Sequence, residues 1–84
     1  MVDSVTAGMV SLVIKDRADH APEVQEVLTR FGGIITSRMG TPSRDRQRGF
    51  ITLTVEGGRS QIAALTAELS KVEGVRVTSA LLDD

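Results

Sequence analysis

The sequence predicts an α+β fold of the split βαβ type, a ferredoxin-like βαββαβ sandwich. In it a four-stranded antiparallel sheet carries two helices on one face. The chain repeats itself, because a shift of 41 residues, which brings Gly8 onto Gly49, aligns the two halves without a gap. Each half also changes its apolar period from strand to helix and back to strand. The other matched pairs are Val10 with Ile51, Leu12 with Leu53, Ile14 with Val55, Val24 with Leu65, Leu28 with Leu69, Phe31 with Val72 and Gly33 with Gly74.

The first half predicts a strand over residues 8–15, a helix over 19–31 and a strand over 34–41. We expect Asp19 to cap the start of the helix, because its side chain accepts hydrogen bonds from free backbone N–H groups. We expect the Gly32–Gly33 pair to end it in the left-handed conformation. The apolar residues predicted to face the core are Val10, Leu12, Ile14, Val24, Val27, Leu28 and Phe31.

The second half predicts a strand over residues 49–55, a helix over 60–72 capped by Ser60, and a strand over 75–82. Residues 1–7 are polar and are expected to be frayed. The expected order of the strands across the sheet is fourth, first, third, second. The core residues predicted in this half are Ile51, Leu53, Val55, Ile62, Leu65, Leu69, Val72, Val75, Val77 and Leu81.

The sheet face turned away from the helices has a mixed composition. It is too apolar for a purely solvated surface and too polar for a core, which predicts a subunit interface or a shallow ligand surface. A homodimer or a tetramer is the expected assembly, because a small aliphatic core is often supplemented by self-association. The alternative is a threonine-rich face in water. The residues of this face are Met9, Ser11, Val13, Phe50, Thr52 and Thr54.

Composition excludes several classes of function. Ten basic and eleven acidic residues give a net charge of −1, which argues against direct nucleic-acid binding. The absence of cysteine excludes disulfides and thiolate metal sites. No stretch approaches the length of a membrane span, and no signal peptide is recognisable at the start, so we expect a cytoplasmic protein. We expect one domain over residues 1–84, with no metal, cofactor or catalytic motif.

The turn between the first strand and the first helix is the predicted ligand site. It holds Asp16, Arg17, Asp19 and His20 beside a helix N-terminus, which attracts an anionic group such as a carboxylate. Arg17 is expected to bind that carboxylate bidentately, while Asp16 pairs with an amine. The alternative is ordinary capping and solvation, with His20 an exposed residue of the first helical turn rather than a base or a metal ligand.

Four other features carry weaker signals. The stretch 44–48 holds three arginines that could meet phosphate, or it is a solvated loop that discourages edge pairing. Residues 57–60 precede a helix like a phosphate loop but lack the lysine and the spacing of one, so a tight turn with an N-cap explains them. Arg38 and Arg76 lie in strands, where each either pairs with an anion or packs its stem at the surface.

Several segments that punctuate these elements resemble those of one known family. They are Asp16–Arg17 after strand one, Phe31 at the end of helix one, Arg38–Pro42 (RMGTP) closing strand two and Gly74–Val77 (GVRV) opening strand four. From Val10 to Leu82 the chain resembles the iron-only hydrogenase system regulator family, a group of small ACT-like proteins. The resemblance implies a regulatory or ligand-sensing module that acts as an oligomer, without enzyme activity, and controls transcription or an enzyme system through a partner protein. The alternative is a structural or interaction protein with no small ligand.

The same resemblance extends to the effector domain of nickel-responsive repressors. Those domains carry imidazole ligands just after strand two, where this chain has Gly40 and Pro42. Neither residue binds a metal through its side chain, so no nickel site is expected. ACT domains that bind amino acids often have a glycine after the first strand, where this chain has Ala18–Ala21.

Overall fold

A computed structural model describes residues 3–82 of the chain. The order of strands and helices within this range is βαββαβ, as predicted. The elements are β1 (Val5–Ile14), α1 (Arg17–Arg30), a 3-10 turn (Gly32–Ile34), β2 (Ile35–Pro42), β3 (Gly49–Gly58), α2 (Arg59–Ser70) and β4 (Val75–Leu81).

The four strands form one antiparallel sheet in the order β2-β3-β1-β4, which confirms the predicted topology. The two central strands, β1 and β3, are equivalent in the sequence repeat. Val10 lies opposite Leu53, and Leu12 lies opposite Ile51. Because the repeat matches Val10 with Ile51 and Leu12 with Leu53, the two pairs exchange under the pseudo-twofold symmetry of the fold.

The core lies between one face of the sheet and the two helices, and it is aliphatic throughout. Phe31 packs against its edge and is only partly buried, as are the three core-face residues of β4. The strand residues of the core alternate with outward-facing residues, which is the period of two that the sequence showed. The buried residues are Val10, Leu12, Ile14, Val24, Val27, Leu28, Ile34, Ile51, Leu53, Val55, Ile62, Leu65, Leu69 and Val72.

The prediction that residues 1–7 are frayed is wrong for the part of that segment that the structure describes. β1 begins at Val5, which lies opposite Gly58 at the end of β3. The carbonyl oxygen of Ser4 accepts a hydrogen bond of 2.8 Å from the backbone N–H of Arg59. The glycines near residue 58 continue β3 instead of turning the chain, and this extra length gives the N-terminal residues a strand to pair with. Residues 1 and 2 lie outside the described residues.

The predicted cap of the first helix is also wrong. α1 begins at Arg17, and its N-cap is Asp16, which has φ 48° and makes no hydrogen bond through its side chain. The carbonyl oxygen of Asp16 accepts from the N–H groups of Asp19 and His20. The left-handed conformation of Asp16 therefore starts the helix before Asp19, which lies in the first turn.

The two helices end differently. Helix α1 passes through Phe31 into the 3-10 turn, and neither Gly32 nor Gly33 has positive φ, so the left-handed ending predicted for them is wrong. Gly74 follows α2 with φ 81°. A Cβ at Gly74 would lie 2.7 Å from Cδ2 of His20, so this position requires glycine for its conformation and for its space.

Candidate functional site

Two adjoining cavities lie beside the N-terminal half of α1. The inner one, of about 230 Å³, lies between α1 and the end of β2 and the start of β3. The outer one, of about 510 Å³, lies between α1 and the loop that joins β2 to β3. Both are lined by Arg17, Ala21 and Gln25, and together we call them the Arg17 cleft. The remaining lining residues are Ile14, Gly40, Thr41, Pro42, Phe50 and Ile51 inside, and Ala18, Pro22 and Arg46 outside.

The loop from residue 43 to residue 48 brings Arg46 to the cleft. Oδ1 of Asp45 accepts hydrogen bonds from the Ser43 hydroxyl at 2.6 Å and from the Gln47 backbone N–H at 3.0 Å. These two hydrogen bonds hold the pKa of Asp45 below its ordinary value, and the bond from Ser43 has the larger effect. The carbonyl oxygen of Gln47 accepts from the backbone N–H of Arg17 at 2.7 Å, which ties the loop to the start of α1. Arg46 sits at the left-handed position of this closed loop, with φ 63°.

Each polar side chain of the Arg17 cleft can donate a hydrogen bond: two are guanidinium groups, one is the Gln25 amide and one is the Thr41 hydroxyl. Among the described residues, the guanidinium groups of Arg17 and Arg46 have no hydrogen bond or ion pair. Oε1 of Gln25 accepts from the Arg38 guanidinium, which leaves its amide nitrogen to donate elsewhere. None of the described lining residues is acidic. The cleft therefore presents positive charge and N–H donors to whatever occupies it.

Helix α1 adds one acceptor to the outer cavity. Pro22 lies inside the helix and has no N–H to donate to the carbonyl oxygen of Ala18, four residues earlier. Both residues line the outer cavity, which also holds Arg46. The Ala18 carbonyl oxygen therefore lacks the donor that a helix normally supplies four residues later, and a carbonyl oxygen can accept a hydrogen bond from an ammonium group. The outer cavity is thus lined by two arginines and by the residue that carries this carbonyl oxygen.

The structure separates the four ligand residues that the sequence predicted. Arg17 lines both cavities, whereas Asp16, Asp19 and His20 line neither of them. Asp16 and Asp19 are exposed, and His20 is half-buried against Gly74, at the turn before β4. Sequence reasoning missed Gln25 and Arg46, of which only Arg46 carried a signal, as part of the basic stretch.

The segment 57–60, considered above as a weak phosphate loop, is filled by the chain's own carboxylate. Asp3 accepts hydrogen bonds from the Ser60 backbone N–H at 3.0 Å and from the Ser60 hydroxyl at 2.7 Å. Both hydrogen bonds lower the pKa of Asp3, and the bond from the Ser60 hydroxyl has the larger effect. The N-cap of α2 is Gly58, not the predicted Ser60, and Gln61 accepts from its N–H at 3.1 Å.

A third cavity, of about 440 Å³, lies between the two helices and is lined mainly by charged side chains. Glu68 pairs there with Arg30 at 3.3 Å and with Lys71 at 3.0 Å. The Lys71 and Arg30 hydrogen bonds lower the pKa of Glu68. In this groove, the ion pair of Glu68 with Arg30 joins the two helices, and both ion pairs neutralise part of the charge.

No group of three or more metal-ligating His, Asp or Glu side chains occurs within residues 3–82. Over the same part of the chain, neither helix has the length and apolar character needed to cross a membrane.

The sequence profile of the TM1266-like family, whose proposed role is iron-only hydrogenase system regulator, matches residues 6–79. This chain belongs to that family. The comparison with curated proteins finds no match. The TM1266-like chain resembles the solved structure of TM1266, an uncharacterized protein from Thermotoga maritima, with a TM-score of 0.89 and 29% identity over 95% of this chain and 100% of that one.

Two further structures share the fold of this TM1266-like chain at lower identity. The ACT domain of a GTP pyrophosphokinase from Chlorobium tepidum superimposes with a TM-score of 0.74 and 18% identity, over 94% of this chain and 100% of that one. The regulatory subunit of aspartate kinase from Thermus flavus superimposes with a TM-score of 0.59 and 18% identity, over 93% of this chain and 53% of that one. These matches confirm the ACT-like, ferredoxin-like fold and the family that the sequence predicted.

Proposed function

We propose that this chain is a ligand-sensing regulatory module that binds a small amino-acid-like anion in the Arg17 cleft and acts as an oligomer. The observation that carries the proposal is the lining of the cleft, where two unpaired guanidinium groups converge and no described residue is acidic. The family's proposed role as a regulator supports the same function. The module would act on its hydrogenase system through a partner protein, without catalysis.

The cleft suits a carboxylate at one end of the ligand. A guanidinium binds a carboxylate through two parallel hydrogen bonds, and Arg17 and Arg46 approach the cleft from α1 and from the loop. The Gln25 amide nitrogen supplies a further donor. Ile14 and Ile51 give the inner cavity an apolar floor, which fits an aliphatic or aromatic side chain.

The cleft also suits an ammonium group, because Pro22 leaves the Ala18 carbonyl oxygen without its helical donor. A ligand that carries both groups, as an amino acid does, satisfies both ends of the outer cavity. For Arg17 we propose the carboxylate-binding role that the sequence predicted. Asp16, Asp19 and His20 remain predictions and would need a neighbouring subunit to reach the same ligand.

A thermal-shift screen with the protein amino acids and the matching simple carboxylates and amines tests the proposal. A ligand at a hundred times its Kd stabilises the folded state by about 2.7 kcal/mol, which for a domain of this size raises Tm by about 10 °C or more. We expect an amino acid to raise Tm, with a smaller effect from its carboxylate analogue and none from its amine.

Three variants sharpen the screen. Arg17→Gln should abolish the shift, whereas Arg44→Gln, a matched change in the loop between β2 and β3 but outside the cleft lining, should preserve it. Pro22→Ala restores an N–H for the Ala18 carbonyl, so it should weaken amino-acid binding and leave carboxylate binding unchanged. No shift with any compound, or an equal loss in Arg17→Gln and Arg44→Gln, would reject the ligand site.

A structural or interaction protein with no small ligand is the second candidate, and the exposed apolar residues of the outer sheet face favour it. This second candidate predicts that the chain associates with itself or with another protein and that no compound in the screen raises its Tm. The cytoplasmic location and the single domain over residues 1–84 stay predictions.

A further inference from the structure

The sheet face opposite the helices, which we call the open face, carries a band of exposed apolar side chains. Met9 is 49% exposed, Val13 40%, Met39 71% and Phe50 41%. Across the strands, Met9 lies opposite Thr54 and Ala80, Met39 lies opposite Thr52, and Val13 lies opposite Phe50. The other residues of the face, by register, are Val5, Ala7, Ser11, Ser37, Thr41, Thr52, Thr54, Glu56, Arg76, Thr78 and Ala80.

Two charged residues lie among the paired strand residues of this face, and they have opposite signs. Glu56 in β3 pairs with Ala7, near one end of β1, and Arg76 in β4 pairs with Val13, near the other end. Both are exposed, and among the described residues neither forms an ion pair. Six residues of β1 separate the two positions, which is about 20 Å along the strand.

This arrangement is complementary to itself. A twofold axis that lies in the open face and crosses the strands obliquely exchanges the two ends of the sheet. Arg76 of one copy then approaches Glu56 of the other, and the reverse contact follows from the symmetry. The axis is oblique because it must be perpendicular to the line from Glu56 to Arg76, and these two residues also lie two strand spacings, about 10 Å, apart across the sheet.

We infer that the open face binds a second copy of this chain, face to face, with Arg76 of each copy paired with Glu56 of the other. The inference names the surface used by the oligomer and rests on that part of the proposed function. It does not depend on ligand binding.

The size of the open face limits the surface area that the dimer can bury. Four strands about 4.8 Å apart and seven residues long cover roughly 19 by 23 Å. The two faces together then bury on the order of 1,000 Å², near the lower limit of specific interfaces. We therefore expect a reversible dimer with a Kd in roughly the micromolar range.

Sedimentation velocity across concentrations from about 1 μM to about 0.5 mM, spanning such a Kd, tests the inference. The wild-type chain should pass from monomer to dimer. Arg76→Glu and Glu56→Arg should each weaken association by about tenfold or more, because each places like charges opposite one another. The double swap Arg76→Glu with Glu56→Arg should restore it. Arg44→Glu, in the loop, is the control for charge alone and should dimerise as wild type.

The outcomes separate this inference from the ligand site. Arg17→Gln should lose ligand binding and still dimerise, so failure of one proposal leaves the other standing. A wild-type monomer at every concentration would overturn the inference. Dimerisation that neither single reversal weakens, or that the double swap does not restore, would overturn the proposed pairing.

Discussion

Leu53→Ala tests the placement of the core, because Leu53 has no exposed surface and lies in the central strand β3 between Val10 and Arg38. Leucine to alanine in a core costs about 2–5 kcal/mol through lost contacts and a cavity. The paired backbone of a central strand limits collapse around the cavity, so we expect about 3–4 kcal/mol. At roughly 0.05–0.15 kcal/mol per residue, a chain of 84 residues has about 4–13 kcal/mol of stability, so the variant should fold but with a narrow margin.

Urea denaturation followed by circular dichroism measures the effect. With a slope of about 1–3 kcal/mol per molar, the midpoint should fall by roughly 1–4 M. Leu12, the repeat mate of Leu53, is 2% exposed, so Leu12→Ala should cost the same within about 1 kcal/mol. Leu82→Ala is the matched control, since Leu82 is 84% exposed, and should change stability by less than about 0.5 kcal/mol. A Leu53→Ala cost as small as that of Leu82→Ala would refute the core placement.

Two further predictions concern the backbone and pH. Gly74→Ala should destabilise the chain by more than about 1 kcal/mol, because Gly74 has φ 81° and a Cβ would crowd His20. Gly32→Ala, with open space and ordinary φ, should be neutral or slightly stabilising in the same urea assay. The Ser60 bonds lower the folded-state pKa of Asp3, so their stabilisation is present above the unfolded pKa and is lost as pH falls through the folded pKa. Asp3→Asn should remove that part of the pH dependence of the urea midpoint, and an unchanged profile would contradict the assigned cap.

The elements and the core could be predicted because periodicity reports burial directly. Every predicted core position of β1, β3 and α2 is buried. Val75, Val77 and Leu81 are only partly buried, because β4 is an edge strand and has a neighbour on one side only. The 41-residue repeat supplied the strand order, since it makes β1 and β3 the symmetric central pair.

The ends of the elements could not be predicted from local preference. Asp19 and Ser60 have the side chains of good caps, yet Asp16 and Gly58 hold the N-cap positions. In the second case the capping carboxylate comes from Asp3, far away in the chain and brought there by the extension of β1. A cap supplied through tertiary structure leaves no signal near the helix it serves.

Contacts between distant parts of the chain also explain why only one of the four predicted ligand residues lines the cleft. Arg17 could be found because it stands at a helix start, where local sequence is informative. Arg46 reaches the cleft only because Asp45 closes its loop and the Gln47 carbonyl binds the backbone of Arg17. Gln25 belongs to no sequence motif. Its amide is oriented by a hydrogen bond from Arg38, which joins α1 to β2. The cleft is thus made by contacts between a helix, a loop and an edge strand, which pairwise spacing along the sequence does not encode.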